Sequence, residues 1–182
     1  MPGSRGAQVA PVPARNGRAR ARADGEPVVT AELVETYRGA VYPWHCDHMD
    51  HMNVMWYVGK FDEATWNFFC MFGLTPGFLR SQSRGMAAVE QRIAYRRELR
   101  AGDTVAVRSG AIEVRDKAIR FVHEMRNAET REVSAVTLLT GVFIDTAARK
   151  ACALPERVAD RARGFLVACD LPWQDQASSV NV

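Results

Sequence analysis

Residues 53–73 read NVMWYVGKFDEATWNFFCMFG. Val54, Tyr57, Val58, Phe61, Ala64, Thr65, Phe68, Phe69 and Phe72 recur there at spacings of three and four, which puts them on one broad apolar face of a helix. Asn53 stands where an N-cap belongs, because its short side chain can accept from a free amide of the first turn. Gly73 stands where a helix stops. Trp56 and Trp66 add aromatic surface outside the stripe, so the helix is expected to be buried on most sides. A helix of this kind, about five turns long, is the object around which the rest of the chain must fold.

On either side of it the period changes to two. Residues 33–42 alternate loosely and carry β-branched and aromatic residues, which suits a strand ended by Pro43. Downstream, Ala87, Val89, Gln91, Ile93 and Tyr95 are read as one face of a second strand, with Glu90, Arg92 and Arg96 on the other. Residues 100–103 read as a turn, and residues 104–114 as a third strand with Gly110 as a candidate bulge. After a reversal at Asp116 and Lys117, Ile119, Phe121, His123 and Met125 line one face of a fourth strand. Residues 127–131 form a loop, residues 133–144 a fifth strand, and residues 155–165 a short helix. The fold class is therefore α+β, with a long central helix wrapped by a five-stranded antiparallel sheet, the hot-dog arrangement. One such unit leaves a sheet edge and part of its helix uncovered, so a homodimer or homotetramer is expected.

Composition narrows the function classes. The chain has 182 residues, enough for one domain with its own core. Its net charge of +3 is small, and much of the excess comes from Arg5, Arg15, Arg18, Arg20 and Arg22, so no nucleic-acid partner is expected. Residues 1–28 are read as a disordered basic tail, 29–166 as the folded domain and 167–182 as a flexible C-terminal tail. The first segment is arginine-rich and acid-poor like a transit peptide, but its prolines oppose an amphipathic helix, and it lacks the apolar core of a secretory signal. No apolar run reaches the roughly 18 residues a membrane span needs. Cys46, Cys70, Cys152 and Cys169 form no CxxC pair, which points to reduced thiols and a cytoplasmic location.

The chemistry concentrates directly before the helix, in residues 44–53, WHCDHMDHMN. His45, His48 and His51, three of the chain's four histidines, stand with Asp47 and Asp50 where the positive end of a helix dipole begins. A metal site is one reading, since nitrogen, sulfur and oxygen donors are all present. The three-residue spacing falls in a loop, however, and only His123 lies downstream, so neither metal nor other cofactor is expected. His123, on an apolar strand face, reads as a satisfied core residue, and His45 and His48 as solvated loop residues.

The pattern Asp47-x-x-x-His51-x-Asn53-x-x-x-Tyr57, followed by Phe61-Asp62-Glu63-Ala64, resembles acyl-CoA thioesterases of the 4-hydroxybenzoyl-CoA thioesterase type. Within that family it is most similar to the branch that includes long-chain acyl-CoA thioesterases. Residues 95–103 look like the family's strand-turn-strand signature and residues 139–145 like its last strand, so the resemblance runs from about residue 32 to residue 165. The family often has Gly before the motif histidine, where this chain has Asp50. The resemblance implies hydrolysis of an acyl-CoA to free acid and CoA. It places the catalytic carboxylate, nucleophile or general base, at Asp47, with His51 and Asn53 as further polar site residues. The amides of Val54 and Met55 at the helix start would form the oxyanion site. Glu63 is a possible secondary carboxylate, read also as a polar anchor for the helix. Against these stand a turn-forming Asp47, a His51 that merely bonds a loop carbonyl, a non-catalytic acyl-CoA or acyl-carrier binding module, and a metal-dependent hydrolase using the His45, His48 and His51 loop. Arg84, Arg92, Arg96, Arg97, Arg115, Lys117 and Arg120 are candidates for the CoA phosphates or for a solvated face.

Overall fold

The computed structural model describes residues 32–168. Strand β1 (Val34–Ala40) leads through a 3-10 turn at Pro43–His45 and the histidine-rich loop into helix α1 (Val54–Met71). A short helix, α2 (Pro76–Ser81), precedes β2 (Arg84–Tyr95), β3 (Thr104–Val114), β4 (Ala118–Asn127) and β5 (Val133–Asp145). A two-residue strand, β6 (Lys150–Ala151), and helix α3 (Glu156–Arg163) follow. The sheet order is β1-β3-β4-β5-β2, antiparallel throughout, with β6 beside β5. This is the hot-dog arrangement, with six strands rather than five among the described residues. β6 is too short to show a period, and so is six-residue α2, although Thr75 caps it and Pro76 opens it.

α1 begins and ends as its sequence implies. The Asn53 side chain accepts from the Met55 amide at 3.0 Å, and Gly73 takes a φ of 98°, which a side chain would oppose. Phe68, Phe69 and Phe72 pack with Ile119, Phe121 and Phe143 of the sheet and with Val158, Ala159 and Ala162 of α3. Tyr57, Phe61 and Ala64 pack with Val105, Val107, Met125 and Ala135. Each buried phenylalanine contributes on the order of 1.5–3 kcal/mol. The sheet covers one side only: Val54, Met55, Val58 and Trp66 are 38% to 62% exposed. The expectation of a helix buried on most sides is thus corrected within the single chain.

Two strand readings are also corrected. β2 carries an irregularity between Ala88 and Glu90. One extra residue there shifts the alternation by one, so Met86 and Ala88 share a wall with Gln91, while Val89 is 50% exposed. In β3 the irregularity falls between Ala111 and Glu113, not at Gly110. Gly110 serves close approach instead, since a Cβ there would lie 2.7 Å from Val167 and 2.9 Å from Leu33. Val167 itself is buried, and its amide bonds the Ala111 carbonyl at 2.9 Å, so the packed body runs one residue past the expected boundary. The expected N-terminal tail, and the C-terminal tail beyond residue 168, lie outside the described residues.

His123 is the satisfied core residue the sequence implies. It is fully buried, and it joins Ser109 Oγ at 2.5 Å through Nδ1 and Thr65 Oγ1 at 2.9 Å through Nε2. Ser109 continues to Thr36 Oγ1 at 2.6 Å, and Thr65 donates to the Phe61 carbonyl at 2.8 Å. One polar chain therefore ties α1, β4, β3 and β1 together. Burial pushes the His123 pKa down to about 3, so the ring stays neutral.

Candidate active site

The loop between β1 and α1 closes on itself. Cys46 and Met52 form a bridge, the Asp47 amide donates to the His51 carbonyl at 3.1 Å, and the Met52 amide donates to the Leu99 carbonyl at 2.6 Å. Asp50 has a φ of 60°, in the left-handed region. Aspartate tolerates that region better than most side chains. This chain thus takes a left-handed backbone with aspartate at the position before His51.

Asp47 is held from two directions. One carboxylate oxygen accepts from the Met49 amide at 2.9 Å, the other from Asn53 Nδ2 at 3.0 Å. The Met49 amide, then Asn53, hold its carboxyl below the usual carboxylate range, with the charges of His51 and His48 helping and burial opposing. Asn53 turns its Oδ1 to the Met55 amide, so one side chain couples the carboxylate to the helix start. Of the two amides proposed for an oxyanion, Met55's is thereby engaged. Val54's, at the first helical position, has no protein acceptor among the described residues. A fixed anionic carboxylate beside a free helix-start amide can add, or direct, a nucleophile to a carbonyl and stabilise the resulting oxyanion.

The three histidines diverge. His45 is buried rather than solvated: its Nδ1 accepts from the Tyr42 amide at 3.1 Å, and its ring lies 4.3 Å from that of Trp56. Burial, then the charge of Lys60, push its pKa down. His48 is exposed, as expected. His51 lies 3.7 Å from the Glu98 carboxylate, on the rim of a concavity of about 340 Å³ shared with Val54, Tyr57 and Tyr95. Among the described residues no three His, Cys, Asp or Glu side chains converge as metal ligands.

Glu63 and its neighbour Asp62 point different ways. Glu63 lies beside the Tyr37 hydroxyl, whose pKa burial and then this carboxylate push up. Lys60, buried, donates to the same hydroxyl at 3.2 Å and to the Ala40 carbonyl at 3.0 Å. Glu63 is thus an anchor on the β1 side. Asp62 instead lines a largely apolar crevice of about 110 Å³ between α1 and β2. Sequence reading passes over Asp62, although it falls four residues after Val58 and four before Trp66 on one helix face. Among the candidate phosphate contacts, Arg84 pairs with Asp145, Arg92 with Glu90, Arg97 with Glu132, and Arg115 and Arg120 with Glu113.

Comparison with known proteins bears on the family and the fold. The model of the thioesterase-like superfamily matches residues 41–162. No curated protein matches the chain by sequence. Among solved structures, a hypothetical protein from Staphylococcus aureus in complex with CoA superposes with a TM-score of 0.73 at 16% identity, over 86% of this chain and all of that one. A 1,4-dihydroxy-2-naphthoyl-CoA thioesterase from Synechocystis gives 0.63 at 18%, over 70% of this chain and 93% of its own. A Thermus thermophilus thioesterase complexed with coenzyme A and zinc gives 0.63 at 18%, over 73% and 94%. At such identities the superpositions establish the shared fold, and the family match carries the assignment: the chain belongs to the thioesterase-like superfamily and is a thioester hydrolase.

Proposed function

We propose that the substrate is an acyl-CoA, hydrolysed to free acid and CoA with Asp47 as nucleophile or general base. The observation that carries this reading is the Asp47–Asn53–Met55 chain of hydrogen bonds, which holds a carboxylate next to the unengaged Val54 amide. As base, Asp47 takes a proton from water while the hydroxide oxygen bonds to the carbonyl carbon. The oxygen's new charge rests on the Val54 amide, the C–S bond breaks, and the CoA thiolate leaves and is protonated. Asn53 keeps Asp47 oriented, and His51 faces the concavity beside Val54 where the CoA arm would enter. The CoA complexes of the Staphylococcus and Thermus relatives support this choice of thioester. Activity is proposed for a homodimer or homotetramer in the cytoplasm, without metal or prosthetic group. No described helix is long and apolar enough to cross a membrane.

Asp47→Asn tests the assignment. The amide is nearly isosteric but a poor base and nucleophile, so kcat should fall about a hundredfold or more while the circular dichroism spectrum is unchanged. Near-normal turnover by the folded variant would remove Asp47 from the chemistry. A wild type that binds CoA esters yet turns none over would make the protein a binding module.

A further inference from the structure

The face of α1 left uncovered by the sheet descends in steps of four residues: Val54, Val58, Asp62, Trp66. The last three line the crevice, with Gln91 of β2 opposite and Gly141 of β5 in its floor. A Cβ at Gly141 would lie 3.0 Å from the Met86 terminal methyl and 3.5 Å from Phe121, so glycine keeps that floor open. In this apolar setting two polar groups are underused. Asp62, on the solvent-exposed rim, makes no hydrogen bond or ion pair among the described residues, so a chain seated in the crevice would strip its water. The Gln91 amide reaches only Thr137 Oγ1, at 3.4 Å.

The chemistry of the pair selects a ligand group. A carboxylate only accepts, and the Gln91 amide nitrogen donates. An alcohol does both and satisfies both. An ammonium could bond Asp62 and the Gln91 Oε1, but it would shed more hydration than an alcohol among Trp66, Phe69, Met86 and Phe121, and a second carboxylate meets repulsion from Asp62. Position sets where that alcohol must lie. At 1.5 Å per residue, Asp62 stands about 12 Å along the helix from Val54. A zigzag chain with carbon–carbon bonds of ~1.5 Å covers that distance in roughly nine or ten carbons. We infer that the crevice takes a medium-length acyl chain carrying a hydroxyl near its far end, bound by Asp62 and Gln91. This rests on the proposal that the thioester carbonyl sits at the Val54 amide.

The test compares kcat/KM for decanoyl-CoA, 10-hydroxydecanoyl-CoA and the ten-carbon dicarboxylic monothioester. Wild type, Asp62→Leu and Asp62→Asn are assayed, each checked for folding by circular dichroism. Wild type should prefer the hydroxylated chain over decanoyl by about tenfold, since binding the bare chain leaves a desolvated carboxylate unpaired. In Asp62→Leu that ratio should fall to one or below. In Asp62→Asn the dicarboxylic thioester should gain relative to decanoyl. A wild type that prefers decanoyl overturns the inference, as does an Asp62→Leu variant that leaves the ratio unchanged. Hydrolysis of short acyl-CoA esters but of no ten-carbon chain overturns it while leaving the acyl-CoA hydrolase reading intact. Hydrolysis of no acyl-CoA overturns that reading as well.

Discussion

Asn53 does two jobs with one side chain, and they can be separated. Its oxygen caps α1 and its nitrogen donates to Asp47. Asn53→Ala removes both, and loss of the cap should cost about 1 kcal/mol of stability, read by urea unfolding. Loss of the donation removes one of the two hydrogen bonds that lower the Asp47 pKa. If ionised Asp47 is the active form, the acid limb of kcat/KM lies below the ordinary carboxylate range in wild type and moves up in the variant. Asn53→Asp restores the cap and adds a like charge, so it should recover stability while moving the limb further up. An acid limb that stays put in both variants would mean that Asp47 does not set it.

Between elements, the His123 chain is the joint with a measurable signature. Its ring is neutral in the folded state down to about pH 3, whereas an unfolded histidine titrates near 6.5. Within that window the unfolded chain binds a proton that the folded chain refuses. Stability therefore rises with pH and falls as pH drops, by at most about 1.4 kcal/mol per unit from this group. His123→Gln keeps polar atoms for Ser109 and Thr65 but cannot titrate. Its stability between about pH 4 and 6 should vary less steeply than wild type, as urea midpoints would report; equal slopes would put the proton elsewhere. The histidine's burial was legible in the sequence because Ile119, Phe121, His123 and Met125 alternate without interruption. The face of β2 was not, because the bulge at Val89 inserts one residue and no side-chain pattern announces it. The loop shows the same division. Asp47, His51 and Asn53 are neighbours in sequence and could be read together. Asp62 and Gln91 meet only across a crevice formed when β2 returns beside α1. His45 was misread because the partners that bury it, Tyr42 and Trp56, come from the turn before it and the helix after it.

At the scale of the whole molecule, one surface is left without a reason in a lone chain. β2 is an outer strand of the sheet, twelve residues long. Along it Val89 and Tyr95 are 50% and 47% exposed, and Val54, Met55, Val58 and Trp66 of α1 are exposed as well. A long outer strand with exposed apolar side chains, next to a helix face with several more, invites pairing. A two-fold partner aligned on β2 would cover both at once and close the open side of the Asp62 crevice. Stable interfaces of this kind bury upwards of about 1,000 Å². Val89 lines no site described above, so Val89→Lys tests the interface without touching the chemistry. Light scattering should find wild type as a dimer or tetramer and the variant shifted towards monomer at equal concentration. Turnover should fall in step with the monomer fraction, in the variant and in wild type on dilution, because a monomer leaves the acyl crevice open to water. A monomer with full activity would show that a single chain builds the entire acyl site, and the exposed face of α1 would then need another explanation.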